Sequence, residues 1–287
     1  CDPALLITSY HFAGLGVLSE RLQCIAVSKN EETSFFSTPT LSTTISPDTI
    51  KDLFKKHNIP ISSVQIIGVT GGKSSDLDNS LEGIKILKIN EIEAIGLGAK
   101  KLYGIKDEPA LVVSAGTGTA CVHIQGNDFN HLGGIAVGGG MLEGLGSLLF
   151  KNSSGLEINE FANQGSRSEI DLLIGDVVNK IGNLAPEITA VNFGQAKQSS
   201  ADTIENTAAA LCNMVGEVIG TVAYLNAFLI GSDSAYFTGR TSYLSEIMNG
   251  INQRLDLAGV KGKYNNNREY ANAIGVLEKI KNCPKSH

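Results

Sequence analysis

Two glycine clusters in the middle of the chain have the composition and position of an anion-binding site. An apolar run at 111–114 predicts a buried strand, which ends at once in the turn AGTGT at 115–119. After a second short strand at 120–125, the triple glycine at 138–140 stands where helical spacing of apolar residues begins. Glycines at a helix start let backbone N–H groups approach an anion, and the helix dipole favours negative charge there. Because the two turns flank one hairpin, we predict a site for nucleotide phosphates.

A simpler interpretation of the glycines stays open from the residues alone. The chain has 32 glycines in 287 residues, so glycine turns are common in it, and a single turn of this kind is more commonly a tight hairpin than a ligand loop. It is the close spacing of two such turns that favours a binding site.

Two carboxylates open the next candidate element. The segment 87–103 predicts a short strand followed by a helix, with Glu91 and Glu93 in its first turn. Carboxylates in a first helical turn commonly only complement the helix dipole. A positioned carboxylate can also act as a general base, and the residues alone leave both roles open.

Other chemical motifs are excluded by spacing. A strand at 64–69 leads into Thr70-Gly71-Gly72-Lys73-Ser74, but the preceding Gly68 is one residue too close for GxxxxGK(S/T). The turn is therefore predicted to end a strand and not to form a Walker A loop. The five histidines and five cysteines have no ligand spacing, so we predict no metal site built from them.

Composition limits the class of protein. With 42% hydrophobic residues in 287, the chain can bury a sizeable core, and its length is typical of one large or two medium domains. The net charge of −6, with scattered Lys and Arg, argues against nucleic-acid binding. An odd number of unpatterned cysteines predicts reduced thiols and a cytoplasmic protein. No apolar run reaches the ~18 residues of a membrane span.

The remaining elements follow from periodicity. Residues 4–27 predict two strands joined by a turn near Gly14 or Gly16, and Ser46-Pro47-Asp48 caps a helix that ends near His57. Glu169, Asp171 and Asp176 are expected on solvated faces. The segment 202–230 predicts one long helix with a wide apolar stripe, which core packing alone would explain. Strand, turn and helix then repeat up to the C-terminus.

Taken together, these runs resemble the type II pantothenate kinases of the actin, sugar-kinase and Hsp70 ATPase superfamily. The family's GxGxS/T turn is similar to GTGT at 116–119, and its GGG helix start is similar to GGGMLEGLG at 138–146. The resemblance covers roughly residues 60 to 280 and includes these further runs: NEIEA at 90–94, NFG at 192–194, VGEV at 215–218, FTG at 237–239 and AIG at 273–275.

The resemblance implies a fold, a reaction and a site. The fold is α/β, a two-lobed actin-like ATPase (ribonuclease H-like) fold, with lobes at 1–112 and 113–287 and the nucleotide between them. The reaction is transfer of the γ-phosphoryl of ATP, with Mg²⁺, to pantothenate, in a cytoplasmic homodimer whose long helix helps to form the interface. Glu91 falls on the catalytic glutamate, and Glu93 and His131 fall at the substrate. The implied ATP-binding residues are Gly116, Thr117, Gly118, Thr119, Gly138, Gly139, Gly140, Met141, Leu142, Glu143, Gly239 and Arg240.

The chain departs from the family pattern at two main points. Thr8-Ser9-Tyr10-His11-Phe12 stands where the family has D-x-G-G-T, and no carboxylate lies between Asp2 and Glu20. His131 stands where the family has an arginine for the substrate carboxylate. The first departure predicts weak metal positioning and slow transfer. A catalytically impaired, nucleotide-binding regulatory relative, a disrupted N-terminal sequence and an actin-like sugar kinase therefore remain alternatives.

Overall fold

The computed structural model describes residues 4–12, 21–29, 32–40, 46–71, 74–106, 109–178, 185–198 and 200–282. Its strands are β1 (Ala4–Phe12), β2 (Arg21–Lys29), β3 (Glu32–Thr40), β4 (Val64–Val69), β5 (Ser80–Leu81), β6 (Ile84–Lys88), β7 (Ala110–Ala115), β8 (Thr119–Gln125), β9 (Asp128–Ile135), β10 (Leu172–Leu173), β11 (Thr189–Val191), β12 (Ser234–Thr238) and β13 (Lys261–Tyr264). Its helices are α1 (Pro47–Lys56), α2 (Glu91–Tyr103), α3 (Gly139–Phe150), α4 (Gly155–Ala162), α5 (Ile174–Val177), α6 (Ile204–Ile230), α7 (Ser245–Leu257) and α8 (Ala271–Lys281).

The first sheet contains six strands in the order β3-β2-β1-β4-β6-β5. The predicted N-terminal hairpin is confirmed as the antiparallel pair β1 and β2, although its turn lies outside the described residues. The predicted capped helix is confirmed as α1, because Ser46 Oγ accepts a hydrogen bond from the Thr49 backbone N at 3.1 Å. Its Ile50, Leu53 and Phe54 are buried in the core of this sheet.

The second sheet contains five strands in the order β13-β12-β7-β8-β9. The strands β7, β12 and β13 are parallel, whereas β7, β8 and β9 form an antiparallel meander. Parallel strands bring their carboxyl ends to one edge, and Thr238 of β12 lies beside Ser114 of β7 there. The loops that follow β7 and β12 are consequently neighbours, although more than a hundred residues separate them in sequence.

The predicted long helix is confirmed as α6, which has 27 residues and ends at Gly231 in the left-handed conformation with φ 70°. By length and composition α6 could cross a membrane, but 67% of its most apolar window is buried inside the fold. It packs closely against α7 because Gly216 and Gly220 face Ile247, Gly250 and Ile251. We therefore interpret α6 as the core helix of the second lobe.

The C-terminal helix α8 returns to the first sheet. It packs against α2, and its Val276, Leu277 and Ile280 share a core with Ile89 and Ala94. The two helices approach so closely that a Cβ on Gly98 would lie 1.8 Å from the Ala271 carbonyl oxygen, and one on Gly275 would lie 1.8 Å from that of Ala94. In the described chain, the two sheets share no strand. The predicted boundary between the lobes, at Val112, falls inside β7, which is a strand of the second sheet.

One prediction about the surface is wrong. Asp171 was expected on a solvated face but is completely buried. Its Oδ1 accepts a hydrogen bond from the Phe193 backbone N at 2.8 Å, and Arg167 Nη1 lies 3.6 Å from its Oδ2. Desolvation raises the pKa of this carboxyl, and the Phe193 hydrogen bond and the Arg167 charge oppose that shift. Asp171 therefore positions a loop and does not face solvent.

Candidate active site

A cavity of about 470 Å³ opens between α2 and the edge of the second sheet where β7 ends. It brings together three of the features predicted from sequence: the carboxylate Glu91, the glycine turn at 116–119 and His131. Its lining consists of Glu91, Ile92, Ile95, Ser114, Gly116, Thr117, Gly118, Thr119, Ala120, His131, Gly134 and Ile135. The cavity combines an apolar wall on α2 with a polar wall on the turn.

The first glycine turn connects β7 to β8 and is rigid. The Gly116 backbone N donates to the Gly118 carbonyl at 2.9 Å, which closes the turn. The Thr119 hydroxyl donates to the Val137 carbonyl at 2.8 Å and so connects the turn to the end of the hairpin. Thr117 at the tip is exposed. This turn presents backbone to the cavity, as a phosphate-binding turn must.

The second glycine cluster begins α3, as the sequence predicted, and its backbone contacts the first turn. The backbone N of Gly139 donates to the Gly116 carbonyl at 2.8 Å, and that of Gly140 donates to the Thr117 carbonyl at 2.9 Å. These two donors therefore join the second cluster to the first turn, and the phosphate contact of 138–140 stays a prediction. A Cβ on Gly138 would lie 2.7 Å from the carbonyl oxygens of Gly116 and Thr117. The close packing of the two turns is itself enough to require glycine there.

The three residues after the triple glycine do not line the cavity. Leu142 is completely buried in the core of the second lobe, so its side chain is not available for the predicted nucleotide contact. Met141 packs partly against the same core. Glu143 is 8% exposed, and a Cβ on Gly155 would lie 3.4 Å from its Oε1. The helix that the apolar periodicity predicted is confirmed as α3, but Leu148 and Leu149 near its end are 72% and 54% exposed.

Glu91 is the first residue of α2 and faces the cavity. Asn90 caps the helix, since its Oδ1 accepts from the Ile92 backbone N at 2.9 Å. Glu91 remains exposed on the cavity side, while the protein on its other sides desolvates the carboxyl and raises its pKa above the ordinary value. The end of β4 approaches from the first lobe, because a Cβ on Gly71 would lie 3.8 Å from the carboxyl atoms.

Glu93 forms an ion pair with a residue of the C-terminal helix. Its Oε1 lies 2.5 Å from Lys279 Nζ on α8, so the carboxylate joins two helices and does not line the cavity. Both side chains are partly exposed, which makes the ion pair a modest contribution to stability. The ion pair gives Glu93 a structural role in this structure, and its role at the substrate stays a prediction.

His131 lies on β9 and faces the cavity, opposite Val122 in the sheet register. The imidazole is exposed, and the lack of a side chain on Gly134 leaves space beside it. A Cβ on Gly134 would lie 3.6 Å from His131 Nε2. The imidazole can donate or accept a single hydrogen bond at each nitrogen, according to its protonation. This side chain therefore lines the same cavity as Glu91, and its contact with the substrate stays a prediction.

The turn after β12 approaches the first glycine turn from the other side. Gly239 has φ 86°, and a Cβ there would lie 2.3 Å from the Ala115 carbonyl oxygen, so only glycine fits. Arg240 Nε lies 3.3 Å from Glu269 Oε2. The buried Nη1 of Arg240 has no hydrogen-bond partner among the described residues.

Sequence reasoning missed three features of this region. Ile92 and Ile95 form the apolar wall, and only their spacing on one helical face could have indicated it. Ser114 lines the cavity from the residue before the end of β7. Arg268 is buried and stacks on the Tyr243 ring with its Cζ 3.5 Å from the ring centroid.

The two sheets and their packed helices define the fold class of this protein, an α/β, two-lobed actin-like fold, which two solved structures share. An activator of 2-hydroxyisocaproyl-CoA dehydratase from Clostridium difficile with bound ADPNP has a similar structure, with a TM-score of 0.57 at 14% identity over 97% of this chain and 100% of its own. A ROK family glucokinase from Streptomyces griseus in complex with glucose and AMPPNP gives a TM-score of 0.53 at 12% identity over 95% and 98%.

Sequence similarity identifies the family within that class. The family model Fumble matches residues 19–255. A type II pantothenate kinase from Oceanobacillus iheyensis is 30% identical over 218 residues, which cover 73% of this chain and 80% of that enzyme. The chain belongs to the Fumble family, the family of type II pantothenate kinases.

Proposed function

We propose that this protein transfers the γ-phosphoryl group of ATP to the primary hydroxyl of pantothenate and forms 4′-phosphopantothenate, the first step of coenzyme A biosynthesis. The observation that carries the proposal is the single cavity in which Glu91, the turn 116–119 and His131 meet. Phosphoryl transfer requires positioning and charge neutralisation, and these are the properties of such a cavity. The name of the relative from Oceanobacillus iheyensis supports the choice of substrate.

ATP would lie along the edge of the second sheet. Gly116, Thr117, Gly118 and Thr119 would face its phosphates from the first turn, and Gly239 and Arg240 would face its nucleoside. The unpartnered Nη1 of Arg240 supports this placement, because a buried donor without a partner is costly unless a ligand satisfies it.

Mg²⁺ is expected to accompany the nucleotide, since it prefers phosphate oxygens, water and one or two carboxylates. Among the described residues, no group of three or more His, Cys, Asp or Glu is arranged to hold a metal. The family's metal-positioning aspartate corresponds to the segment 8–12, whose side chains lie outside the description of the structure. When bound, Mg²⁺ would neutralise part of the charge on the phosphates.

Glu91 would act as the general base. The hydroxyl oxygen of pantothenate attacks the γ-phosphorus, the bond between that phosphorus and the bridging oxygen of ADP breaks, and the hydroxyl proton passes to the Glu91 carboxylate. The products are ADP and the phosphate ester. Burial that raises the pKa of Glu91 makes it a better proton acceptor, provided that it is still ionised at the working pH.

His131 would contact the carboxylate of pantothenate. An imidazole offers fewer donors than the forked, permanently charged guanidinium of the arginine that the family places there. Substrate affinity should therefore be weaker than with arginine.

The missing carboxylate between Asp2 and Glu20 favours one second candidate. In this candidate the protein is a nucleotide-binding, catalytically impaired relative with a regulatory role. A sugar kinase of the same fold remains a third candidate only because solved sugar kinases share the fold.

One experiment separates these candidates. Calorimetry with a non-hydrolysable ATP analogue is run beside phosphorylation assays with pantothenate and with glucose. A pantothenate kinase binds the analogue and phosphorylates pantothenate only. Binding with slow turnover, increased when Asp-Ala-Gly-Gly-Thr replaces residues 8–12, indicates an impaired relative. No phosphorylation by either chain, or turnover with glucose alone, would contradict the pantothenate assignment.

The larger organisation forms part of the same proposal. The lobes would divide near Val112, with the nucleotide between them. Two chains would form a homodimer through the exposed apolar end of α6, where Leu225, Phe228 and Leu229 are 54%, 56% and 72% exposed. A cytoplasmic location is consistent with the free thiols of Cys121 and Cys212.

A further inference from the structure

The Thr241 hydroxyl occupies the point at which three loops of the candidate site meet. Thr241 lies in the short 3₁₀ turn Arg240–Tyr243 that follows β12, and it is 4% exposed. Its Oγ1 donates to the Gly116 carbonyl at 2.7 Å and accepts from the Gly139 backbone N at 3.1 Å. One buried hydroxyl therefore connects the turn after β12, the first glycine turn and the start of α3.

The surroundings of Thr241 leave little choice of side chain. A Cβ on Gly139 would lie 2.8 Å from Thr241 Oγ1, and the Gly139 N–H is shared between this oxygen and the Gly116 carbonyl. The group at this point must both donate to a carbonyl and accept from an N–H, which a hydroxyl does and a methyl cannot.

The same turn is fixed on its other side. The Ser242 hydroxyl donates to the Gly239 carbonyl at 2.7 Å, and Arg268 donates from Nε to Ser242 Oγ at 2.8 Å and from Nη2 to the Ser242 carbonyl at 2.9 Å. The turn is thus a rigid body, and the Thr241 hydroxyl is its polar side-chain contact with the Gly116 carbonyl.

We propose that Thr241 is a positioning residue that sets the separation between the phosphate turn at 116–119 and the nucleoside turn at 239–240. This inference rests on the proposed function, because it assumes that one nucleotide spans both turns. A nucleotide has a fixed length between its base and its phosphates. Turns held at the matching separation bind it without a cost for ordering them first, and loose turns bind it more weakly.

The test compares Thr241→Val, which keeps the shape and removes the hydroxyl, with Thr241→Ser, which keeps the hydroxyl. Thr189→Val is the matched control. Thr189 is 6% exposed, and its Oγ1 accepts from Arg167 Nη1 at 2.6 Å and from Asn213 Nδ2 at 3.2 Å, outside the cavity lining. It therefore loses a comparable set of buried hydrogen bonds without touching the glycine turns.

Two measurements are made on each variant of the 287-residue chain. Calorimetry with ATP should give a Kd raised about tenfold in Thr241→Val and within about twofold of the parent in Thr241→Ser and Thr189→Val. Amide hydrogen exchange should be faster at 138–142 in Thr241→Val alone. The KM for pantothenate should not change.

The outcomes distinguish the inference from the function beneath it. If Thr241→Val binds ATP as the parent does, or if Thr189→Val weakens binding equally, the positioning role is wrong while the kinase assignment stands. If the parent binds no adenine nucleotide, the proposed function fails, and the positioning role fails with it. Unchanged exchange at 138–142 in Thr241→Val would show that the Thr241 hydroxyl does not hold the start of α3.

Discussion

Glu91 opens to the cavity on one side and is enclosed by protein on the others, which is the environment of a general base with a raised pKa. Replacing it with Gln keeps its size and hydrogen bonding but removes the proton acceptor. We expect phosphoryl transfer to fall by about 10²-fold or more, with ATP binding retained. Steady-state kinetics and calorimetry check this, and unchanged turnover in Glu91→Gln would contradict the assignment.

The raised pKa of Glu91 also has consequences for pH dependence. As a base it must be ionised, so the rate should decline on acidification at a higher pH than for an ordinary carboxyl. The folded state binds this proton more readily than the unfolded state, so stability from the group is present at low pH and lost as pH rises through the folded pKa. Glu91→Gln should consequently raise Tm relative to the parent near neutral pH, and this difference should vanish at low pH.

His131 offers a gain-of-function test at the same scale. Arginine at this position could form two parallel hydrogen bonds with a carboxylate and would carry a permanent charge. We expect His131→Arg to lower the KM for pantothenate by about tenfold, with the KM for ATP unchanged, because charge-assisted hydrogen bonds contribute ~1.5–3 kcal/mol. His131→Gln, which adds no charge, is the control. A KM unchanged in His131→Arg would place the substrate carboxylate elsewhere.

The element with the tightest packing is the crossing of α2 and α8, which connects the two sheets. A Cβ on Gly275 would lie 1.8 Å from the Ala94 carbonyl oxygen, so backbone would have to move. We expect Gly275→Ala to lower the free energy of unfolding by ~1–3 kcal/mol. Gly144→Ala, which meets nothing within 4 Å in α3, should instead raise it by ~0.5–1 kcal/mol. Urea denaturation measures both, and equal effects would contradict the close crossing.

The elements that sequence predicts well are those specified locally. The capped helix α1, the carboxylate-led α2 and the long α6 each have a start signal, an apolar periodicity and an end signal within one window. Their positions agree with the sequence pattern. The packing of α8 on the first sheet has no local signal, because it depends on contacts with strands at the other end of the chain.

In the candidate site too, sequence predicts the parts that short local motifs specify and does not predict contacts between distant parts of the chain. The turn 116–119 and Glu91 belong to short motifs, and both line the cavity. The partner of Glu93 is 186 residues away, and the Thr241 hydroxyl bonds a carbonyl 125 residues away. Periodicity and capping rules do not report such pairings, so they could not show that the Gly139 and Gly140 donors are already engaged.

At the scale of the whole molecule, α6 has a buried part and an exposed apolar part. Most of its apolar window packs inside the second lobe, whereas its C-terminal end exposes Leu225, Phe228 and Leu229. Spacings of three and four residues place these side chains on one helical face. Tyr224 supports that face from within the helix, with its ring 5.8 Å from the Phe228 ring. An apolar face of this kind is costly to leave in water, and a second copy of the chain would cover it.

The proposed homodimer can therefore be tested by placing charge on that face. In Phe228→Glu with Leu229→Glu, association would bury four carboxylates across two chains, so we expect a monomer. Analytical ultracentrifugation should give one sedimenting species of half the parent mass, with circular dichroism unchanged. Val177→Glu, at a residue 50% exposed on α5, is the control and should remain dimeric. Because each chain contains its own Glu91 and glycine turns in one cavity, the monomer should still bind ATP. A double variant that remains dimeric would show that a different surface joins the two chains.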